Sequence, residues 1–325
     1  MIIDFNQPNY YYEDLVTDAG TLTKQYKNIL KYVTIGKSHD NRDIIMLQLG
    51  LGRRHILFCG GVHGRETINP IVIMKLAEDY ADKYESYKRT KKLYDLKVKS
   101  TYNNIVLHSN ESYYNKMIIE KCVYELLQTY TFLMIPLLNP DGYMISLNGF
   151  NSIHNKELRY KIKQMGIPCA QWKFNARAVD INRNFPCRTW KPKGSHDYAA
   201  SENETKTLIE IFHKYPIRCF FDFHSRGKYI YYYRNSMNDK YNEINYNIAK
   251  HLKNVTGYGL VKKEDEIDYG DSGGNTVHYF SERFIKPAIT IETVDEYANF
   301  PLDIKYRLST FEEVKLILLE LGACI

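Results

Sequence analysis

Short runs rich in Val, Ile, Leu and Phe recur along this chain, and segments with apolar residues at helical spacing separate them. This alternation limits the fold more than any other feature. Strands buried on both faces and joined by helical crossovers give an α/β protein built on a central sheet. "YVTIGKS" (32–38) and "DIIMLQLG" (43–50) read as a hairpin around "HDNR", and "RHILFCGG" (54–61) as a buried strand closing on two glycines. "YTFLMIPLL" (130–138), "IRCFFDFH" (217–224) and "KPAITIET" (286–293) read as further strands. Helices are expected over 68–84, 201–215, 243–255 and 309–322, the second opened by a capping box from Ser201 to Glu204. The basic, weakly periodic stretch 85–120 reads as a solvated face, and 1–20 as a lead-in. The expectation is one α/β domain over 1–325, a mixed, mostly parallel twisted sheet flanked by helices.

Composition removes several function classes. The net charge of +6 is too dispersed for a nucleic-acid footprint, which needs a clustered basic stripe. The apolar run at 132–138 is far too short to span a bilayer, and the first residues show no export signal, so a cytoplasmic protein without a membrane partner is expected. Six cysteines stand singly, at 59, 122, 169, 187, 219 and 324, which argues against a disulfide scaffold or a Cys-rich zinc module.

The chemistry gathers at strand ends. "GGVHGRETINP" (60–70) places His63 and Glu66 just beyond one buried run, and His224 closes another. In open α/β sheets the carboxyl ends of strands form the ligand crevice. Two histidines and a glutamate delivered there are the ligand set of a catalytic zinc with one position left for water. The alternative is a pair of histidines capping strands through hydrogen bonds.

Further motifs follow in order: "NPDGY" (139–143), "VDINRNFP" (179–186), "YGDSGG" (269–274) and "TIETVDE" (290–296). Together with "GGVHGRETINP" they resemble the zinc metallocarboxypeptidases, the carboxypeptidase A-like peptidases, over nearly the whole chain. The resemblance implies one Zn2+ held by His63, Glu66 and His224, with Glu292 as general base. It implies that Asn182 and Arg183 grip the carboxylate at the substrate's end, a task for which a planar guanidinium is suited. Tyr269 corresponds to a tyrosine that closes over the end group, and Thr276 to the floor of its pocket. Arg177 is the residue chosen to stabilise the developing oxyanion, with Lys173, directly after Trp172, as the alternative.

"DFHSRGKYIYYY" after the third ligand, and "WKFN" before the Asn-Arg pair, are similar to the bacterial γ-D-glutamyl-L-diamino-acid peptidase branch. That likeness implies a cell-wall peptide or muropeptide substrate. Such a substrate carries a free D-glutamate α-carboxylate, and Arg226 is positioned by sequence to read it. The alternatives are a general carboxypeptidase acting on ordinary L-peptides, an amidase acting on N-acyl amino acids, and a binding protein that has kept the fold without the chemistry.

Overall fold

The computed structural model describes residues 2–101, 111–192, 197–266 and 273–325. Among the described residues eight strands form one sheet: β1 (Leu30–Lys37), β2 (Asp43–Gly50), β3 (Arg54–Cys59), β4 (Tyr130–Ile135), β5 (Ile217–Ser225), β6 (Tyr229–Tyr231), β7 (Gly259–Leu260) and β8 (Ala288–Thr293). Their order is β1-β2-β4-β3-β5-β8-β6-β7. The central strands β4, β3, β5 and β8 run parallel, while β1, β2 and β6 join through antiparallel pairings. The mixed, mostly parallel sheet expected from the alternation of runs is present.

Side chains alternate across this sheet with period two. Ile56, Phe58, Phe132, Met134, Cys219, Phe221, Phe223, Ile289 and Ile291 enter one core layer. Leu57, Cys59, Leu133, Ile135, Phe220 and Ala288 enter the other. On that second face the apolar series stops at the strand ends, where Asp222, His224, Thr290 and Glu292 take the alternate positions.

Helices cover both faces: α1 (Tyr12–Gln25), α2 (Ile68–Thr101), α3 (Glu111–Thr129), α4 (Pro140–Asn148), α5 (Lys156–Lys163), α6 (Asn203–Lys214), α7 (Asp239–Thr256), α8 (Thr276–Phe284), α9 (Lys305–Val314) and α10 (Ile317–Cys324). Among the described residues no helix is long and apolar enough to cross a membrane. The six cysteines are all unpaired.

Four local expectations are corrected. The lead-in contains α1, which buries Leu15, Ala19 and Leu22 on one stripe. The basic stretch after residue 84 continues α2 to Thr101, and α3 starts at Glu111. These two helices support each other: Tyr84 stacks on Tyr124 with centroids 5.0 Å apart, and Ser86 Oγ donates to Glu120 at 3.0 Å. No capping box opens α6. Ser201 Oγ donates instead to Glu202 at 2.6 Å and accepts from Asn184 at 2.9 Å, and the helix begins at Asn203. The closing helix is two helices, because the Tyr80 hydroxyl donates to the Lys315 carbonyl at 2.8 Å and accepts the Leu319 N–H at 3.3 Å, entering the helical ladder.

Candidate metal centre and cleft

The turn after β3 carries His63 and Glu66. Gly61 sits at φ +61, and a Cβ there would lie 2.6 Å from Leu137 Cδ1. At Gly64 a Cβ would lie 2.3 Å from the Gly142 backbone, so only glycine allows this close approach. The "NPDGY" motif fastens the turn from below. Asn139 Nδ2 donates to the carbonyls of Val62 at 3.0 Å and Phe174 at 3.1 Å, while its Oδ1 caps α4 through Gly142 N at 2.9 Å.

His224 arrives from the end of β5, and Glu292 is its register partner on β8. His63 Nδ1 lies 2.6 Å from Glu66 Oε1, and His224 Nδ1 lies 3.1 Å from Glu66 Oε2. One donor atom from each of the three residues falls within 4.8 Å of the other two. The far nitrogens face carboxylates as well: His63 Nε2 is 3.2 Å from Asp180, and His224 Nε2 is 3.0 Å from Asp222. A carboxylate behind each histidine fixes its tautomer and ring orientation, which is the usual outer support of a metal site. Against the burial that would lower it, Glu66 and Asp180 push His63 up to about 9. Glu66 itself stays down at about 2, held by the two histidines in spite of burial. Two nitrogens and a carboxylate, set in an excess of negative charge, fit a zinc ion.

Asp180 joins this centre to the rest of the cleft. Its second oxygen binds the Lys173 amine at 2.6 Å, and it caps the short turn Ile181–Arg183 through Asn182 N at 3.1 Å. Asn182, Arg183 and Glu292 then border a cavity of about 400 Å³ whose other walls include Tyr231, Arg234, Glu266 and His278. Arg234 and Glu266 form a buried pair at 3.3 Å, and Glu266 also accepts the Tyr232 and Tyr233 N–H groups. Enclosure pushes the Glu292 carboxyl up to about 8, and its Oε2 has no hydrogen-bond partner among the described residues. A wider groove of about 840 Å³ lies at the amino ends of β5 and β8 and contains none of these residues.

The remaining sequence candidates separate. Arg177 is exposed and turns to Glu202 at 3.6 Å, whereas Lys173 is one carboxylate removed from His63. Arg226 is exposed, its guanidinium 5.5 Å from the centre of the Phe300 ring, and Arg65 lies over the same ring at 4.5 Å. Thr276 does not floor the cavity: it is fully buried and its hydroxyl donates to Asp222. A threonine opening a helix turns inward to the strand beneath it, and the wall falls to Val277 and His278. Tyr269 lies outside the described residues.

Sequence reading missed Asp180, Asp222 and Arg65. Asp222 had a signal, because residues two apart on a strand share a face and "DFH" therefore pairs its aspartate with its histidine. Asp222→Asn should weaken zinc affinity by about 10–100-fold, the usual cost of losing an outer-shell carboxylate. Competition with a chromogenic chelator measures this directly, and unchanged affinity would remove Asp222 from the metal site.

The zinc carboxypeptidase family model matches residues 16–98 and 111–315. The γ-D-glutamyl-L-diamino acid endopeptidase 1 of Lysinibacillus sphaericus is 22% identical over 300 residues, covering 88% of this chain and 66% of that protein. Carboxypeptidase A2 of Mus musculus is 23% identical over 331 residues, covering 95% of this chain and 69% of that protein. The chain thus spans about two thirds of the length of these relatives. The crystal structure of thrombin activatable fibrinolysis inhibitor superimposes with a TM-score of 0.70 at 17% identity, over 98% of this chain and 77% of that one, which shows a common fold. Matched along most of its length by sequence and by fold, the chain belongs to the zinc carboxypeptidase family of metallopeptidases.

Proposed function

We propose that the chain is a zinc peptidase that cleaves the link between γ-D-glutamate and a diamino acid in small cell-wall peptides. The observation that carries the reading is the juxtaposition of the His63–Glu66–His224 cluster and Glu292 with a cavity of mixed charge. When bound, zinc polarises the scissile carbonyl and makes water more acidic.

The protein's own groups then have distinct tasks. Glu292 offers an unpartnered oxygen to the proton of the attacking water and returns that proton to the leaving amine. Arg183, steadied by its donation to the Asn182 carbonyl at 2.7 Å, receives the substrate's terminal carboxylate. Lys173 is placed before Arg177 as the cation for the developing oxyanion, because it is the one tied into the His63 network. Tyr269 is retained as the closing residue on its sequence motif.

Substrate choice rests on the cavity walls. Arg234, Asp265, Glu266 and His278 make a polar lining that suits a side chain bearing both an amine and a carboxylate, as diaminopimelate does. The guanidiniums of Arg65 and Arg226, gathered over Phe300, are the cations assigned to the D-glutamate α-carboxylate. Losing one charge-assisted hydrogen bond costs about 1.5–3 kcal/mol, so Arg226→Gln should raise KM for a γ-D-glutamyl peptide by roughly 10–100-fold with kcat preserved. An unchanged KM would detach Arg226 from substrate.

The likeness to carboxypeptidase A2, as strong as that to the endopeptidase, favours a second reading, a carboxypeptidase acting on ordinary peptides. The zinc-loaded protein should be incubated with L-Ala-γ-D-Glu-meso-diaminopimelate and, separately, with N-blocked α-linked dipeptides, with products identified by mass. Diaminopimelate released from the first alone supports the wall-peptide reading. Cleavage of the α-linked panel alone replaces it with the second.

A further inference from the structure

A second cluster of metal-ligating side chains stands apart from the His63 centre. His39, in the turn between β1 and β2, meets Glu202 and Glu204 at the start of α6, with one donor atom from each residue within 4.8 Å of the other two. His39 Nε2 is 3.0 Å from Glu202 Oε2 and 3.9 Å from Glu204 Oε2. Both glutamates are fully buried. The Asn203 backbone N–H also approaches His39 Nε2, at 3.4 Å. At 3.0 Å, His39 Nε2 and Glu202 Oε2 are held together either by a proton on the imidazole or by a cation between them.

Local hydrogen bonding satisfies Glu202 but leaves Glu204 incompletely partnered. Asn175 Nδ2 donates to Glu202 at 2.8 Å and to Glu204 at 3.2 Å, and Ser201 Oγ donates to Glu202 at 2.6 Å. Glu204 Oε1 has no hydrogen-bond partner among the described residues, an expensive condition for a side chain without solvent. Burial pushes the Glu204 carboxyl up to about 7, and Asp141 nearby adds to the rise. The Glu202 carboxylate, despite burial, is held down at about 2 by His39, Ser201 and Asn175. Two enclosed carboxylates facing an imidazole nitrogen fit a small dication, whose charge equals theirs.

We propose that His39, Glu202 and Glu204 form a second, structural binding site for a divalent cation with zinc's preference for nitrogen and oxygen ligands. The fourth position falls to water. The ion fastens the β1–β2 turn to the start of α6. Through Asn175, whose Oδ1 accepts the Arg177 and Val179 N–H groups at 3.0 Å, it also steadies the segment leading to Asp180, Asn182 and Arg183. Its task is to hold that wall in place, and it takes no part in the reaction.

The test is a zinc count. Protein stripped with chelator, reloaded with Zn2+ and dialysed should hold two equivalents by mass spectrometry of the metal. His39→Phe and Glu204→Gln should each hold one. The His63→Ala/His224→Ala double variant should also hold one, and zinc should raise its melting temperature. Anomalous scattering at the zinc edge should place that ion between His39 and Glu202. One equivalent in the parent protein and none in the double variant would overturn the site, leaving His39 and Glu202 joined by a shared proton. If the His39 and Glu204 variants fail to fold, the double variant's count decides alone.

Discussion

Glu292→Gln is expected to lower kcat by about 10²–10⁴, the range in which a positioned general base contributes, while zinc content stays at the level of the parent protein. The substitution keeps shape and removes the proton-accepting charge. The melting temperature should not fall, because burial, with Glu66 and Asp222, outweighs the attraction of His224 and His63 for the carboxylate, and its Oε2 lacks a hydrogen-bond partner among the described residues. A carboxyl pushed up to about 8 is mostly neutral at pH 7 in the zinc-free protein, so an amide of the same shape changes little there. Intact zinc, unchanged or raised stability and lost turnover together identify a group that acts in the reaction rather than in the fold. A variant that keeps full turnover would take Glu292 out of the mechanism.

His224→Ala is expected to abolish zinc retention at the His63 centre and to reduce activity by more than about 100-fold, beyond the cost of an outer-shell change. It should also destabilise the protein. Asp222 is fully buried on β5 and loses its imidazole partner, and breaking a buried pair in this way costs about 3–5 kcal/mol. His63→Ala provides the comparison, since His63 is partly exposed in the turn and its partner Asp180 keeps the Lys173 amine. Both variants should lose activity, and His224→Ala should lose more stability. Calorimetry and metal analysis on the pair separate the ligand role from the packing role. Retained zinc and activity in His224→Ala would remove it from the metal centre.

The sheet was legible in the sequence because its central strands are apolar on both faces, a pattern that survives without knowledge of neighbours. The ends of α2 and α3 were not. Where the two helices meet, Tyr84 pairs with Tyr124 and Ser86 with Glu120, and such pairs are invisible to local periodicity. The capping box failed for a related reason. Ser201 found better partners in Asn184 and Glu202 than in the turn it precedes.

The candidate site shows the same division. His63, Glu66, His224 and Glu292 stand in compact motifs at strand ends, and the fold brings them together there. The choice between Lys173 and Arg177 depends on where an irregular segment turns its side chains. Neither residue type nor spacing encodes that direction. Thr276 illustrates the opposite case: the resemblance assigns it to the pocket floor, but its side chain faces inward, to Asp222.

His224 and Glu292 are direct partners in neighbouring parallel strands. Their spacing is therefore set by the main-chain ladder, about 4.8 Å in any sheet, and owes little to how side chains pack. Arg234 and His278, which line the cavity, hang from a connection and from α8. On the proposed reading, reactivity and selectivity are written into separate parts of the molecule. Exchange of the outer residues can redirect the protein to a new peptide while the strand ladder keeps its gauge.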